Sequence, residues 1–195
     1  MTNVLILGAA GSLARVATQY LLDNSEARLT LYLRRAERLK NHAPSRVNII
    51  EGDVLDSRCL EGAMVGQDIV YANLAGNMQE QAVSVVKAMK ATAVKRLIFI
   101  SSMGIYDEVP GEKYGNILAP YRESAEVVEY SGLDYTLIRP GWFTNSSDVD
   151  YTLTHKGDPF QGTSVSRLSI SDLINRMVMT PDLYLHESLG ISRIK

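Results

Sequence analysis

Cysteine is nearly absent from this chain. Cys59 stands alone among 195 residues, which excludes an intrachain disulfide and a metal cluster built on cysteine. Its side chain reads as a small buried hydrophobe. An excess of charge is lacking too. Against 22 Asp and Glu there are 20 Lys and Arg, a formal net charge of −2, with no field to draw in nucleic acid or an anionic lipid surface. No apolar run approaches the roughly 20 residues of a membrane span. The N-terminus enters a strand-like segment at once, with no basic stretch ahead of a long apolar one, so no signal peptide is expected and a cytoplasmic protein is. Repeats, low-complexity stretches and linkers are missing. His42, His155 and His186 sit apart in polar surroundings, without metal-site spacing, and read as surface residues.

The composition that remains, 46% hydrophobic and 22% charged, is that of a globular chain able to bury one core. Val4-Leu5-Ile6-Leu7 is a short apolar run ended by Gly8, the pattern of a strand buried on both faces of a parallel sheet. Further strands are predicted over 28–33, 47–50, 68–71, 95–100 and 135–138. Helical stripes fall between them. One carries Leu13, Val16, Ala17, Tyr20 and Leu21 behind a Ser12 cap; another carries Ala82, Val85, Val86 and Met89. A third helix runs from about 121 to 130 and stops at Ser131-Gly132. This alternation predicts an α/β fold, a Rossmann-type doubly wound parallel sheet in a single domain over 1–195. Past Pro140 the alternation breaks. Two short strands, 150–154 and 163–167, flank the turn-rich Lys156-Gly157-Asp158-Pro159. A last helix is then predicted from a Ser171 cap, with Leu173, Ile174, Met177 and Val178 inward and Thr180-Pro181 as its end. Residues from about 140 to 195 are read as a small C-terminal, substrate-side lobe.

The turn Gly8-Ala9-Ala10-Gly11-Ser12-Leu13-Ala14 has a physical job. Glycine lets the backbone turn tightly and approach a pyrophosphate, while the next helix offers unpaired N–H groups and the positive end of its dipole. Gly8, Ala10, Gly11, Ser12, Leu13 and Ala14 are therefore the candidate phosphate-binding segment of a dinucleotide site. The bland alternative is a tight turn without ligand. After the second strand come Leu33-Arg34-Arg35, with no carboxylate before Glu37. An acidic residue there would accept from the ribose hydroxyls, whereas the arginine fork suits a 2′-phosphate. NADP(H) is expected ahead of NAD(H). Arg34, Arg35, Arg38 and Lys40 also form a small basic cluster, which a net acidic chain does not turn into a nucleic-acid site. In Gly52-Asp53-Val54 the carboxylate can accept from the adenine amino group while Val54 packs on the ring. Leu74, Ala75 and Gly76 follow the fourth strand, where backbone can pass near a ribose. Such strand ends are where ligands sit in this fold.

Gly8-x-x-Gly11-x-x-Ala14, Gly52-Asp53-Val54, Ile100-Ser101-Ser102-Met103 and the stretch from Ser131-Gly132-Leu133-Asp134-Tyr135 to Ile138-Arg139-Pro140-Gly141 resemble the atypical short-chain dehydrogenase/reductase family. Within it the chain is most similar to the NAD(P)H-binding, NmrA-like branch that includes flavin/biliverdin-IXβ reductases. The resemblance implies that Ser102 is the active-site serine, hydrogen-bonding a carbonyl or the cofactor carboxamide, with Ser101 beside it. It implies that Pro140 and the residues after it meet the nicotinamide. Trp142 then offers a flat wall for a planar substrate, or alternatively anchors the lobe as a core aromatic.

The chain departs from the family's Tyr-x-x-x-Lys pair: registered on Ala125-Glu126, the tyrosine position falls on Leu118 and the lysine position on Arg122. Arg122 can still bond a nicotinamide ribose hydroxyl, but its pKa is too high to tune a phenolate. Tyr121 points about 100° away round the helix, and Tyr106 and Tyr114 are unplaced alternatives. These residues point to an NADPH-dependent oxidoreductase acting on a small planar molecule (a flavin, quinone or related carbonyl), as a monomer or homodimer. The alternative is a non-catalytic NADP(H) sensor that reports through a partner protein.

Overall fold

Strand β1 (Asn3–Leu7) is central because it has nothing polar to show: Val4 to Leu7 are fully buried. The computed structural model describes residues 1–39, 43 and 45–194, so Lys40 and His42 of the readings above lie outside the described residues. Strands β2 (Arg28–Leu33), β3 (Val47–Glu51), β4 (Ile69–Ala72), β5 (Arg96–Ile100) and β6 (Asp134–Pro140) fall where their apolar runs predict. They join the sheet in the order β3-β2-β1-β4-β5-β6, every pair parallel. The chain leaves β1 toward β2 and later returns to place β4 on its other side. The connections after β1 and β4 therefore run in opposite directions and leave a crevice between them.

Helices cover both faces. On one, α1 (Ser12–Asn24) packs against α5 (Arg167–Met179) through Leu13, Leu21, Leu173, Ile174 and Met177. The other carries α2 (Ser57–Met64), α3 (Met78–Ala91) and α4 (Ala119–Glu129), which bury Leu60, Met64, Val85, Met89 and Val128. Truncating any one of these leucines to alanine costs about 2–5 kcal/mol.

Two expected caps move. Gly11, in extended conformation, is the N-cap of α1 and Ser12 its first helical residue; no side chain caps the helix. Ser166 is the N-cap of α5, its side chain accepting from the Ser169 N–H, so Ser171 lies inside that helix. Its hydroxyl bonds back to the Arg167 carbonyl at 2.7 Å. At α5 several serines satisfy the local pattern, while at α1 Gly11 takes the cap and Ser12 enters the helix.

Part of the stretch expected as a lobe rejoins the main sheet. Strand β10 (Glu187–Ser192) pairs parallel with β6 and antiparallel with β8 (Thr152–Thr154). Sequence reading missed β10. Its Ser188 and Gly190 lower strand propensity, but a Cβ at position 190 would stand 2.8 Å from the Phe160 ring, so the glycine makes room for that aromatic. Strands β7 (Trp142–Thr144) and β9 (Ser164–Ser166) form a separate parallel pair. Of 140–195, then, this pair and its flanking loops rise above the sheet, while α5 and β10 belong to the core.

Candidate functional site

The carboxyl ends of β1, β2 and β4 open on a cleft of about 500 Å³. Gly8 adopts φ +72°, and its N–H donates to the Tyr32 carbonyl at 3.1 Å. A Cβ on Gly8 would overlap the Asn73 carbonyl oxygen, and one on Gly11 would overlap the Asn73 side-chain amide. The two glycines thus let the turn after β1 press against the turn after β4. That packing demand exists with or without a ligand. Beyond the turn, the first N–H groups of α1 have no intrahelical acceptor, which gives the cleft a floor suited to phosphate oxygens. Leu13 and Ala14 are buried and can offer only main-chain groups.

Ten expected site residues line this cleft: Gly8, Ala10, Gly11, Arg34, Arg35, Asp53, Val54, Leu74, Ala75 and Gly76. Arg34 and Arg35 are exposed and Arg38 joins them, whereas Asp53 is the one acidic lining residue. Glu51, at the end of β3, turns its carboxylate to the Ala36 N–H at 2.7 Å. Asp53 spends one oxygen on the Leu55 N–H at 2.9 Å while its carboxylate stays exposed. Val54 is nine-tenths buried in the core; Leu55, at 43% exposure, is the apolar side chain that faces the cleft. Sequence reading missed Leu55, along with Asn73 and Tyr32. Gly52 was the available signal, since a Cβ there would collide with the Tyr32 hydroxyl, which donates to the Asp53 carbonyl at 2.8 Å.

The remaining expected residues lie outside that cleft. Ser12 is exposed at the start of α1. Beyond β5, Ser101 is buried with its hydroxyl unpartnered among the described residues. Ser102 is half-buried and donates to the Met103 carbonyl at 3.0 Å. The Met103 N–H in turn donates to the Pro140 carbonyl at 3.2 Å, which ties the turn after β5 to the end of β6.

Arg122 takes a role other than the expected ribose contact. Its guanidinium donates to the carbonyls of Ile105, Gly115 and Gly104 and to Asp107 Oδ1, the last at 2.7 Å. It clamps the 104–115 loop, because α4 starts early enough to bring that loop over it. Leu118 is buried in the core beside Tyr114 and Tyr121. Tyr106 donates to Glu129 and meets Ser188 at 3.0 Å, and burial together with Glu129 pushes its pKa up. Beneath it lies a buried ion pair, Arg139 with Glu108.

The aromatic wall also shifts. Trp142 is 67% exposed, so it anchors no core. Successive strand residues point to opposite faces, and it is Phe143 that carries the Arg167 guanidinium, 5.0 Å from its ring centre. Arg167 in turn reaches Ser12 Oγ at 3.3 Å. Phe143, not Trp142, therefore stands on the side of the glycine turn. His155 and His186 lie at the surface, facing Glu187 and Asp134. Among the described residues, no helix is long and apolar enough to cross a membrane.

A family model described as NAD(P)H-binding matches residues 8–181. A Rossmann-fold NAD(P)-binding family protein from Shigella flexneri superposes with a TM-score of 0.90 at 44% identity, over 99% of this chain and 94% of that one. A short-chain dehydrogenase/reductase from Veillonella parvula, solved in complex with NADP, gives 0.86 at 27% identity, over 98% and 94%. Among curated proteins, the (4-alkanoyl-5-oxo-2,5-dihydrofuran-3-yl)methyl phosphate reductase of Streptomyces griseus is 28% identical over 144 residues, 74% of this chain. The chain spans about half the length of the curated relatives it matches, 49% in each case.

Proposed function

The chain belongs to the NAD(P)H-binding family, and from that footing we propose that it is an NADPH-dependent reductase of a small planar acceptor, a flavin, quinone or related carbonyl. One observation carries the reading. The cleft sets three arginines against a single carboxylate above a glycine turn with no room for a side chain. This is the electrostatic and steric pattern for a dinucleotide bearing an extra phosphate.

The residues present fit such a cofactor part by part. The α1 N-terminus and Gly8 to Ser12 take the pyrophosphate; Arg34 and Arg35 take the 2′-phosphate; Asp53 and Leu55 hold the adenine edge and face. Leu74, Ala75 and Gly76 border the ribose, and Pro140 with the chain after it borders the nicotinamide. When bound, the reduced nicotinamide supplies the hydride. The protein's part is to orient the acceptor against Phe143, limit water and offer a donor to the acceptor oxygen. Ser102 is that donor, after leaving its bond to the Met103 carbonyl. Leu118 lies in the core and Tyr106 is engaged by Glu129 and Ser188, so neither supplies a phenolic acid in this reading. Hydroquinones and reduced flavins form without a strong protein acid, which favours them over plain aldehydes. The reductase activity named for the Streptomyces relative also supports a reductase.

Turnover tests the reading. NADPH oxidation measured against quinones, flavins and aldehydes should show a quinone or flavin accelerating it well above the protein-free rate. Tight NADPH binding with no turnover across that panel would overturn the reductase in favour of a nucleotide-state sensor, whose capture of a partner would differ between NADP⁺ and NADPH.

A further inference from the structure

Arg167 opens α5 directly after β9, at the place where the raised β7–β9 pair touches the glycine turn. Its Nε lies 3.3 Å from Ser12 Oγ. Nη1 donates to Asn145 Oδ1 at 2.9 Å and to the Thr144 carbonyl at 3.3 Å, and Phe143 lies under the guanidinium plane. Four neutral groups thus fix the side chain, and none is a carboxylate. The nearby acids are committed elsewhere: Asp148 and Asp150 both face Arg193. Arg122 and Arg139 each have a carboxylate of their own. Among the described residues Arg167 has no ion-pair partner, and its Nη2 donates to nothing. An arginine oriented by neutral partners keeps its charge and part of its fork for an incoming oxyanion. Here that free edge stands beside the first turn of α1, whose dipole and unpaired N–H groups act in the same sense.

We infer that Arg167 is an anion-binding residue, taking phosphoryl or carboxylate oxygens where the cofactor cleft meets the acceptor side. The oxyanion has two possible sources. One is the dinucleotide's own pyrophosphate, on the Ser12 side; the other is an acidic substituent of the acceptor lying against Phe143. The inference deepens the reductase reading and rests on its placement of the cofactor.

The test has two arms on the full chain and on Arg167→Gln and Arg167→Lys. In the first, inorganic pyrophosphate, NADPH and NADH are titrated by calorimetry. In the second, NADPH oxidation is followed with a naphthoquinone and with the same ring bearing a carboxylate. Loss of the guanidinium should weaken one arm about tenfold, the scale of one charge-assisted hydrogen bond, and Arg167→Lys should recover part of it. An equal loss for pyrophosphate and both nucleotides identifies the cofactor as the source. A kcat/KM loss confined to the carboxylated quinone identifies the acceptor. Changes under twofold in both arms overturn the inference, as does an equal loss for both quinones with unaltered nucleotide and pyrophosphate binding, which marks a purely structural pin of β7. A wild-type chain that binds no NADPH strikes the cofactor reading instead, and the pyrophosphate titration still decides Arg167.

Discussion

Between β1 and β4 the cleft is walled by main chain, while above β5 and β6 the walls are side chains. In the first region Gly8, Gly11 and Gly52 each stand where a Cβ would collide with a neighbour, and the candidate phosphate donors are backbone N–H groups. In the second, Ser102, Phe143 and Arg167 come from a loop, a two-stranded pair and the start of α5, with Ser102 and Arg167 held by bonds to neighbouring carbonyls, an asparagine and a serine. The difference teaches what each region can vary. A site made of backbone fixes one ligand class and tolerates little, because every change is a change of fold. A site made of outward side chains can be retuned for a different acceptor while the sheet below stays the same.

The comparison breaks first at Gly8. Gly8→Ala adds a methyl group against the Asn73 carbonyl at a positive φ, a conformation costing about 1–2 kcal/mol before the clash. NADPH binding should fall below detection by calorimetry; near-native affinity would show that the turn is not the site. A smaller effect is expected beneath the acceptor side, where Glu108 neutralises fully buried Arg139 and accepts the Gly104 and Tyr106 N–H groups, each at 2.9 Å. Glu108→Gln should cost about 3–5 kcal/mol in denaturant unfolding, because a buried charge loses its partner. Replacing both members, Glu108→Leu with Arg139→Met, should cost far less. Equal costs would mean that the hydrogen bonds to the loop, and not the charge pair, hold this side in place.

Third, Arg34→Ala with Arg35→Ala should lower NADPH affinity by roughly tenfold or more and leave NADH affinity within about twofold, erasing any preference for the phosphorylated cofactor. Fluorescence titration of the two nucleotides measures this, and equal affinities in the unmutated chain would remove the basis for assigning these arginines to the 2′-phosphate. The smallest change is Ser102→Ala. It should slow turnover of the best acceptor by about tenfold, one lost donor to developing charge, with NADPH affinity nearly unchanged. An unaltered rate would leave the acceptor side without a side-chain donor and would sharpen the contrast, since chemistry would then rest on positioning alone.

Legibility followed the same division. Val4 to Leu7, the glycine turn and Arg34-Arg35 are contiguous, so their pattern could be read without knowing their neighbours. Val54 reads as the adenine-facing residue, but Val54-Leu55 is an apolar pair, and adjacent residues alone do not say which of the two side chains the core takes. Arg122 reads as a ribose ligand from its position near the start of α4, yet loop carbonyls that arrive from 104–115 occupy it. Trp142 reads as the flat wall from its place after Pro140, and only the pairing of β7 with β9 decides that Phe143 faces the turn.

By itself, the sequence determined the alternation of strands β1 to β6 with helices α1, α3 and α4, the burial of the first strand, the place of the glycine turn and the basic rim beside it. Each of these depends on hydrophobic period, on backbone freedom or on charge within a few consecutive residues. Tertiary structure decided the rest: that Asn73 packs on both glycines, that α5 brings Arg167 to Ser12 across 155 positions, and that β10, weak in strand propensity, completes the parallel sheet. Those contacts join residues far apart in the chain, and their free energy comes from surfaces that exist only once the sheet has formed.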